Sequence, residues 1–302
     1  MRQVRTDLAM ECSAAPLSER ERLAGGIERT QVCIADQETA ERLGRPMGTY
    51  VTLSCAQDRS IALPTRQALT DALAREIGAM LPENAHVILV AGLGNRNVTP
   101  DALGPKTADQ VLVTRHLSGV VGEEVLSGMR CVCAASPGVL GMTGVETAEV
   151  VCGVVRSVRP DAVIAVDALA ARSSERICST IQIADTGIAP GSGVGNHRRA
   201  LNRETLGVPV IAVGVPMVVY AASIASDALC AMARADGASP EDEEKLEHLA
   251  RRVVSEQLGD LIVTPREIDA LIGRMAGILA DGINRALHPG LSPSDIGQLM
   301  AT

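Results

Sequence analysis

Asp161-Ala-Val-Ile-Ala-Val-Asp167-Ala-Leu-Ala-Ala171 is a run of five apolar residues, 162–166, closed by an acid. The absence of alternation predicts a strand covered on both faces, as in the parallel sheets of α/β proteins. His86-Val-Ile-Leu-Val-Ala-Gly-Leu-Gly-Asn95 has the same character over 87–90 and is followed by Thr99-Pro-Asp-Ala-Leu-Gly104. Each stretch delivers a carboxylate just past a buried strand. Ligands in such sheets collect outside the carboxyl ends of the strands, so Asp101 and Asp167 are expected to face one cleft. A carboxylate next to a buried strand also needs a hydrogen-bonding partner; a helix N-terminus or Arg172 could supply it.

Working outward, strands are expected over 26–35, 49–56, 129–135, 177–184 and 208–213. Apolar residues at 69, 73, 77, 80 and 81 have helical period. Thr99 and Pro100 read as N-cap and first residue of a helix reaching Leu117, with Asp101 in its first turn. Helices are expected over 145–158, 216–235 (apolar, hence interior), 241–258 (charged, exposed) and 265–287, the last with Gly breaks at 273, 277 and 282. Residues 1–24 read as polar and unpatterned. Strands alternating with helices from about residue 85 to 235 predict an α/β three-layer sandwich with a mostly parallel or mixed central sheet.

The chain of 302 residues has 46% hydrophobic and 21% charged residues, enough apolar content for a large core. It holds no Phe or Trp, and its aromatic residues are Tyr50 and Tyr220. Ala, Val, Ile, Leu and Met must therefore fill the interior. A net charge of −8 with only two lysines argues against direct nucleic-acid binding, which needs clustered cations. The nearest basic cluster, His197-Arg198-Arg199, reads as a solvated loop. Eight scattered cysteines form no Cys-x-x-Cys or zinc-type spacing and read as reduced thiols. No apolar leader or membrane-length stretch occurs, which predicts a cytoplasmic protein without membrane attachment.

Gly92-Leu-Gly-Asn95 follows a strand, but Asn97 stands where the dinucleotide fingerprint needs its third glycine. Gly191-Ser-Gly-Val-Gly-Asn196 lacks the Lys-Ser/Thr of a phosphate loop. Asp185-Thr-Gly187 matches the short signature of pepsin-like proteases, but in an α/β pattern it reads as a strand-end turn. His116 reads as a helix-end residue complementing the dipole. The five dispersed histidines support neither a His-based metal site nor a Ser-His-Asp triad.

Taken together, the chain resembles the germination protease (spore protease) family. The likeness runs through Val4-Arg-Thr-Asp-Leu-Ala9, Gly92-Leu-Gly-Asn95 with Val98-Thr-Pro-Asp-Ala-Leu-Gly-Pro105, and Val113-Thr-Arg-His-Leu117. It continues through Pro137-Gly-Val139 with Thr143-Gly-Val-Glu-Thr147, the 161–172 stretch, and Thr180-Ile-Gln-Ile-Ala-Asp-Thr-Gly187 through Asn196. Glu204 through Pro216, Ile262-Val-Thr-Pro-Arg-Glu-Ile-Asp269 and Asn284-Arg-Ala-Leu-His288 complete it, in order, over nearly the whole chain.

The resemblance implies an aspartic-type endopeptidase of the spore core that degrades small acid-soluble spore proteins at germination. It implies a zymogen and a homotetramer. It also implies a fold like that of the hydrogenase-maturation proteases, whose Gly-x-Gly-Asn loop accompanies two nickel-binding acids. The family's two proposed catalytic aspartates match Asp101 and Asp167. Family substrates are cut after an acid within acid–apolar–Ala–x–Glu, and Thr6-Asp-Leu-Ala-Met-Glu11 fits this pattern. Self-cleavage is thus expected between Asp7 and Leu8, dividing the chain into a propeptide, 1–7, and one peptidase domain, 8–302.

Two carboxylates in one cleft can share a proton and activate water without a cofactor. The alternatives are a metal-dependent peptidase with the same two acids as ligands of a divalent metal, and a non-catalytic nucleotide- or phosphate-binding module. Three features depart from the family pattern. Tyr220 stands where the family usually has Asp, the 228–261 segment is short, and so is the propeptide.

Overall fold

The computed structural model describes residues 6–12, 15–55, 61–120, 128–191, 199–237, 239–259 and 261–300. Among the described residues nine strands form one mixed sheet: β1 (Leu17–Arg22), β2 (Glu28–Ile34), β3 (Gly48–Ser54), β4 (Val87–Gly92), β5 (Cys131–Ala135), β6 (Ala162–Ala171), β7 (Thr180–Ala184), β8 (Val210–Tyr220) and β9 (Ile262–Val263). Their order is β1-β2-β3-β7-β8-β6-β4-β5, with β9 on β8. The apolar runs β4, β6 and β8 lie parallel at its heart together with β5. The β1-β2-β3-β7 part joins β8 antiparallel. The α/β expectation holds, and the sheet is mixed.

The longer helices are α1 (Gln37–Leu43), α2 (Leu63–Met80), α3 (Leu103–Ala108), α4 (Thr147–Val158), α5 (Ala221–Ala235), α6 (Pro240–Leu258), α7 (Ile268–Leu287) and α8 (Pro293–Met300). Period-two alternation sorts each central strand onto two faces. Ile88, Val90, Ile164, Val166, Ile181, Ile183, Ile211 and Val213 meet α2, α3 and α7 on one side. Leu89, Ala91, Val163 and Ala165 meet α4 on the other. On this second side, towards β2 and β3, Ala9 of the N-terminal segment and α1 complete the cover. The three layers of the expected sandwich are therefore present.

Several elements differ from the sequence reading. β1 lies in a stretch read as unpatterned; its Glu and Arg residues suit a sheet edge. The helix expected to reach Leu117 is broken into a 3-10 turn (Thr99–Asp101), α3 and a second 3-10 turn (Arg115–Leu117). Gly104 and Pro105 lie in the first turn of α3. β8 runs on to Tyr220, so residues 216–220 are strand, and α5 begins only at Ala221. α5 is not interior: Ile224, Leu229 and Met232 are exposed. α7 passes unbroken through its glycines. At Gly282 an added Cβ would lie 2.6 Å from Leu73, so the missing side chain lets α2 pack closely.

No helix among the described residues is long and apolar enough to cross a membrane. The Gly191–Asn196 loop and the His197-Arg198-Arg199 cluster lie outside the described residues except for Gly191 and Arg199.

Candidate active site

β6 continues past β4. The last β4–β6 pair is Gly92 with Val166, and Asp167 is the next residue of β6. It is 4% exposed, and its Oδ1 accepts the Ala168 N–H at 2.9 Å. That bond comes from its own strand, not from a helix N-terminus.

Asp101 reaches the same place through close backbone packing. Leu93 N–H donates to Val166 O at 2.8 Å, which carries the Gly92-Leu-Gly-Asn95 loop along β6. A Cβ on Gly94 would lie 2.0 Å from Asp101 O, and one on Gly104 would lie 2.2 Å from Leu93 O and 2.5 Å from Val166 O. Only glycine allows these approaches, and Gly94 also has φ +110°. The Asp101 carboxylate accepts the Asn95 N–H at 2.6 Å. The Gly-x-Gly-Asn turn therefore seats a carboxylate. Asp101 and Asp167 both line a cavity of about 340 Å³, with Asn95, Val139, Thr147, Leu169, Pro190 and Asp7 among its other walls.

The N-terminal segment lies across the sheet beside this cavity. Asp7 N–H donates to Ala170 O, and the Asp7 carboxylate accepts the Ala170 N–H, both at 2.8 Å. Leu8 is 0% exposed and packs on Leu169 and Ala171. Ala9, 2% exposed, sits among Val32, Tyr50, Ala184 and Ala212. The Glu11 carboxylate accepts from Arg172 N–H at 2.7 Å, Ser173 N–H at 3.1 Å and the Thr6 hydroxyl at 2.5 Å. It also pairs with Arg176 at 3.2 Å. Each element of acid–apolar–Ala–x–Glu thus has its own receptor. The segment is held at Asp7, Leu8, Ala9 and Glu11, and it turns into a 3-10 helix over Ala9–Glu11.

The model for the family described as germination protease matches residues 9–245 and 236–299. The chain is 40% identical to the germination protease of Clostridium acetobutylicum, over 99% of both chains. It is 42% identical to that of Caldanaerobacter subterraneus subsp. tengcongensis, over 98% of both. The chain belongs to the germination protease family. It is a peptidase, a hydrolase acting as a spore-germination endopeptidase. The Priestia megaterium relative is 38% identical over 97% of this chain and 96% of its own, in an alignment of 357 residues. That length exceeds the 302 residues here, so the alignment includes insertions in the relative. Among solved structures, a [NiFe] hydrogenase maturation protease, HycI from Thermococcus kodakarensis KOD1, covers 60% of this chain and 97% of its own at 20% identity and TM-score 0.32. That likeness is too distant to carry an argument.

Several residues of this site went unnoticed in sequence. Gln182 is an amide in the buried strand Thr180-Ile-Gln-Ile-Ala184, 8% exposed. Its Oε1 accepts Ala9 N–H at 2.7 Å and its Nε2 donates to Asp7 O at 2.8 Å. A polar side chain in a buried strand must find partners, and that was the available signal. Arg45 donates to Thr6 O at 2.5 Å. Asp185 is the strand-end turn residue expected, accepting Thr49 N–H at 2.8 Å. Tyr220 ends β8 opposite Ile262 and is not among the residues lining the cavity. No cluster of three or more His, Cys, Asp or Glu able to hold a metal occurs among the described residues.

Proposed function

We propose that this chain is an aspartic-type endopeptidase made as a zymogen. It cuts itself between Asp7 and Leu8 and then opens small acid-soluble spore proteins at similar sequences in the germinating spore core. Residues 1–7 are the propeptide and 8–302 the peptidase domain. The observation that carries this reading is the position of Asp7, whose residue lines the same cavity as Asp101 and Asp167.

In the cut, one carboxylate of the pair, ionised, takes a proton from water as the water oxygen attacks the Asp7 carbonyl carbon. The other, protonated, gives its proton to the departing Leu8 nitrogen. The pair titrates as a unit, so the two roles belong to the pair. The exposed Ile224, Leu229 and Met232 of α5 and Leu249 and Val253 of α6 support burial between subunits of a homotetramer.

The test is incubation of the full chain with a small acid-soluble spore protein, with mass mapping of every cut. Wild type should cut after the acid of acid–apolar–Ala–x–Glu and at its own Asp7–Leu8 bond. Asp101→Asn and Asp167→Asn should do neither while remaining folded. Full activity in either variant defeats the carboxylate pair. Activity abolished by a chelator and restored by a divalent metal assigns the same acids to a metal instead.

A further inference from the structure

We propose that Gln182 is a catalytic residue, the donor that holds the carbonyl oxygen on which charge grows during the cut. The proposal rests on the reading that Asp7–Leu8 is a bond this enzyme cleaves. The oxygen of that bond, Asp7 O, is the one that accepts from Gln182 Nε2 at 2.8 Å.

The orientation of the amide is set independently. Ala9 N–H can only donate, so the atom 2.7 Å from it must be the acceptor Oε1. That leaves the NH₂ group facing Asp7 O. The scissile bond is thus bracketed by one rigid amide group on a central strand, without side-chain reorganisation during the reaction.

Sheet register places Gln182 and Asp167 on opposite sides of the same point. Asp167 pairs with Gly214 on one edge of β8, and Gln182 pairs with Gly214 on the other. Alternation puts both side chains on the face that the N-terminal segment crosses. Two strand spacings separate them, roughly 10 Å. The Leu169 side chain lies over Gly214 between them, since a Cβ on Gly214 would lie 2.6 Å from Leu169 Cγ; Gln182 lines a cavity on one side of Leu169 and Asp167 a cavity on the other, and Asp7 lines both. A donor to a carbonyl lies near the carbonyl plane, so Gln182 leaves the faces of the carbonyl carbon open to water.

The step then balances. Water oxygen bonds to the Asp7 carbonyl carbon, and one water proton goes to the ionised carboxylate. The carbonyl π pair moves to Asp7 O, where Gln182 Nε2–H meets it. Collapse restores the carbonyl and breaks the carbon–nitrogen bond, and Leu8 nitrogen takes the proton of the second carboxyl. Gln182 exchanges no proton and is unchanged.

The experiment measures kcat and KM on a synthetic peptide containing Thr-Asp-Leu-Ala-Met-Glu, with the processed enzyme and its Gln182→Glu and Gln182→Met variants. Gln182→Glu keeps an acceptor for the residue that binds as Ala9 does and loses the donor. Gln182→Met keeps the volume and loses both. Loss of an oxyanion donor should lower kcat about 100- to 1,000-fold with a much smaller change in KM. A purely structural glutamine would instead raise KM and leave kcat nearly intact, and that result overturns the proposal.

A second measurement needs no variant. Replacing the Asp carbonyl oxygen of the peptide by sulfur, a poorer acceptor, should slow cleavage by wild type by a similar factor, and equal rates for the two peptides would also overturn it. If wild type cuts neither peptide, the endopeptidase reading has failed. If wild type cuts, the aspartate variants do not, and the Gln182 variants keep kcat, only the role of Gln182 is lost.

Discussion

Replacing Gly104 by Ala should disable the enzyme without touching an acid. The Cβ would lie 2.2 Å from Leu93 O, 2.4 Å from Leu93 N and 2.5 Å from Val166 O, where real Cβ atoms stay beyond 3.0 Å. All three neighbours are backbone, in Leu93 just past β4 and in Val166 within β6, so none can swing aside. The start of α3 must therefore retreat from the sheet by roughly 1 Å, and Asp101, three residues before Gly104, retreats with it. A misplacement of that size can cost about 100-fold in rate. The accompanying overpacking should cost about 1–3 kcal/mol of stability.

Gly78→Ala is the matched control. Gly78 is exposed inside α2 with nothing within 4 Å of its added Cβ, so that variant should gain about 0.5–1 kcal/mol and keep full activity. The assays are denaturant unfolding, the rate of conversion to the form beginning at Leu8, and kcat on the peptide substrate. A Gly104→Ala protein with wild-type stability and wild-type kcat would refute the claim that backbone contact here positions Asp101.

Other perturbations follow from the same geometry. Glu11→Ala removes the acceptor shared by Arg172 N–H, Ser173 N–H, Arg176 and Thr6; docking of residues 6–12 should weaken by about 1–3 kcal/mol, read as faster amide exchange and slower self-processing. Unchanged exchange would show that Glu11 does not anchor the segment.

His288 is fully buried, and burial pushes its imidazole below the usual range; its contact with Leu112 O opposes this and nearby Arg130 reinforces it. The unfolded chain takes up a proton near pH 6.5 that the native state refuses, so stability should fall as pH drops from about 7 towards 5.5. His288→Gln should flatten that slope in denaturant titrations, and an identical slope would exclude His288 as its source.

The Asp161 carboxylate accepts from His86 N–H and Val87 N–H at 2.8 and 2.7 Å. These bonds, chiefly the one from Val87, hold its pKa below the ordinary carboxylate range. Its contribution should be present above about pH 4 and lost as pH falls through the lowered value. Asp161→Ala should cost about 1 kcal/mol at pH 7, measured by thermal unfolding, and a neutral result would show these bonds to be dispensable.

The central layer was legible because its physics is local. An uninterrupted apolar run such as 162–166 has only one comfortable environment, between two covered faces. Its trailing acid then falls at the strand's mouth. Helix α2 was legible from its apolar period for the same reason, and helices were expected over 145–158 and 265–287, where α4 and α7 lie. Reading failed where tertiary contact overrode local preference. Residues 216–220 are apolar enough for a buried helix, but β6, β9 and α5 claim them as strand. Thr99-Pro-Asp101 begins as a helix should, but it forms only a 3-10 turn before α3, where the carboxylate of Asp101 is claimed by the Asn95 N–H.

The amino-acid sequence by itself determined the α/β class, the two carboxylates beyond their strands and the family. It also determined that residues 6–11 match the pattern cut in family substrates. Residue types and their order carry all of these. Only the tertiary structure decided that Asp7 lines the same cavity as Asp101 and Asp167, and that the Gln182 amide holds Asp7 O. Residues 7, 101, 167 and 182 are far apart along the chain, and strand order and register, set by burial of whole faces, bring them to one place.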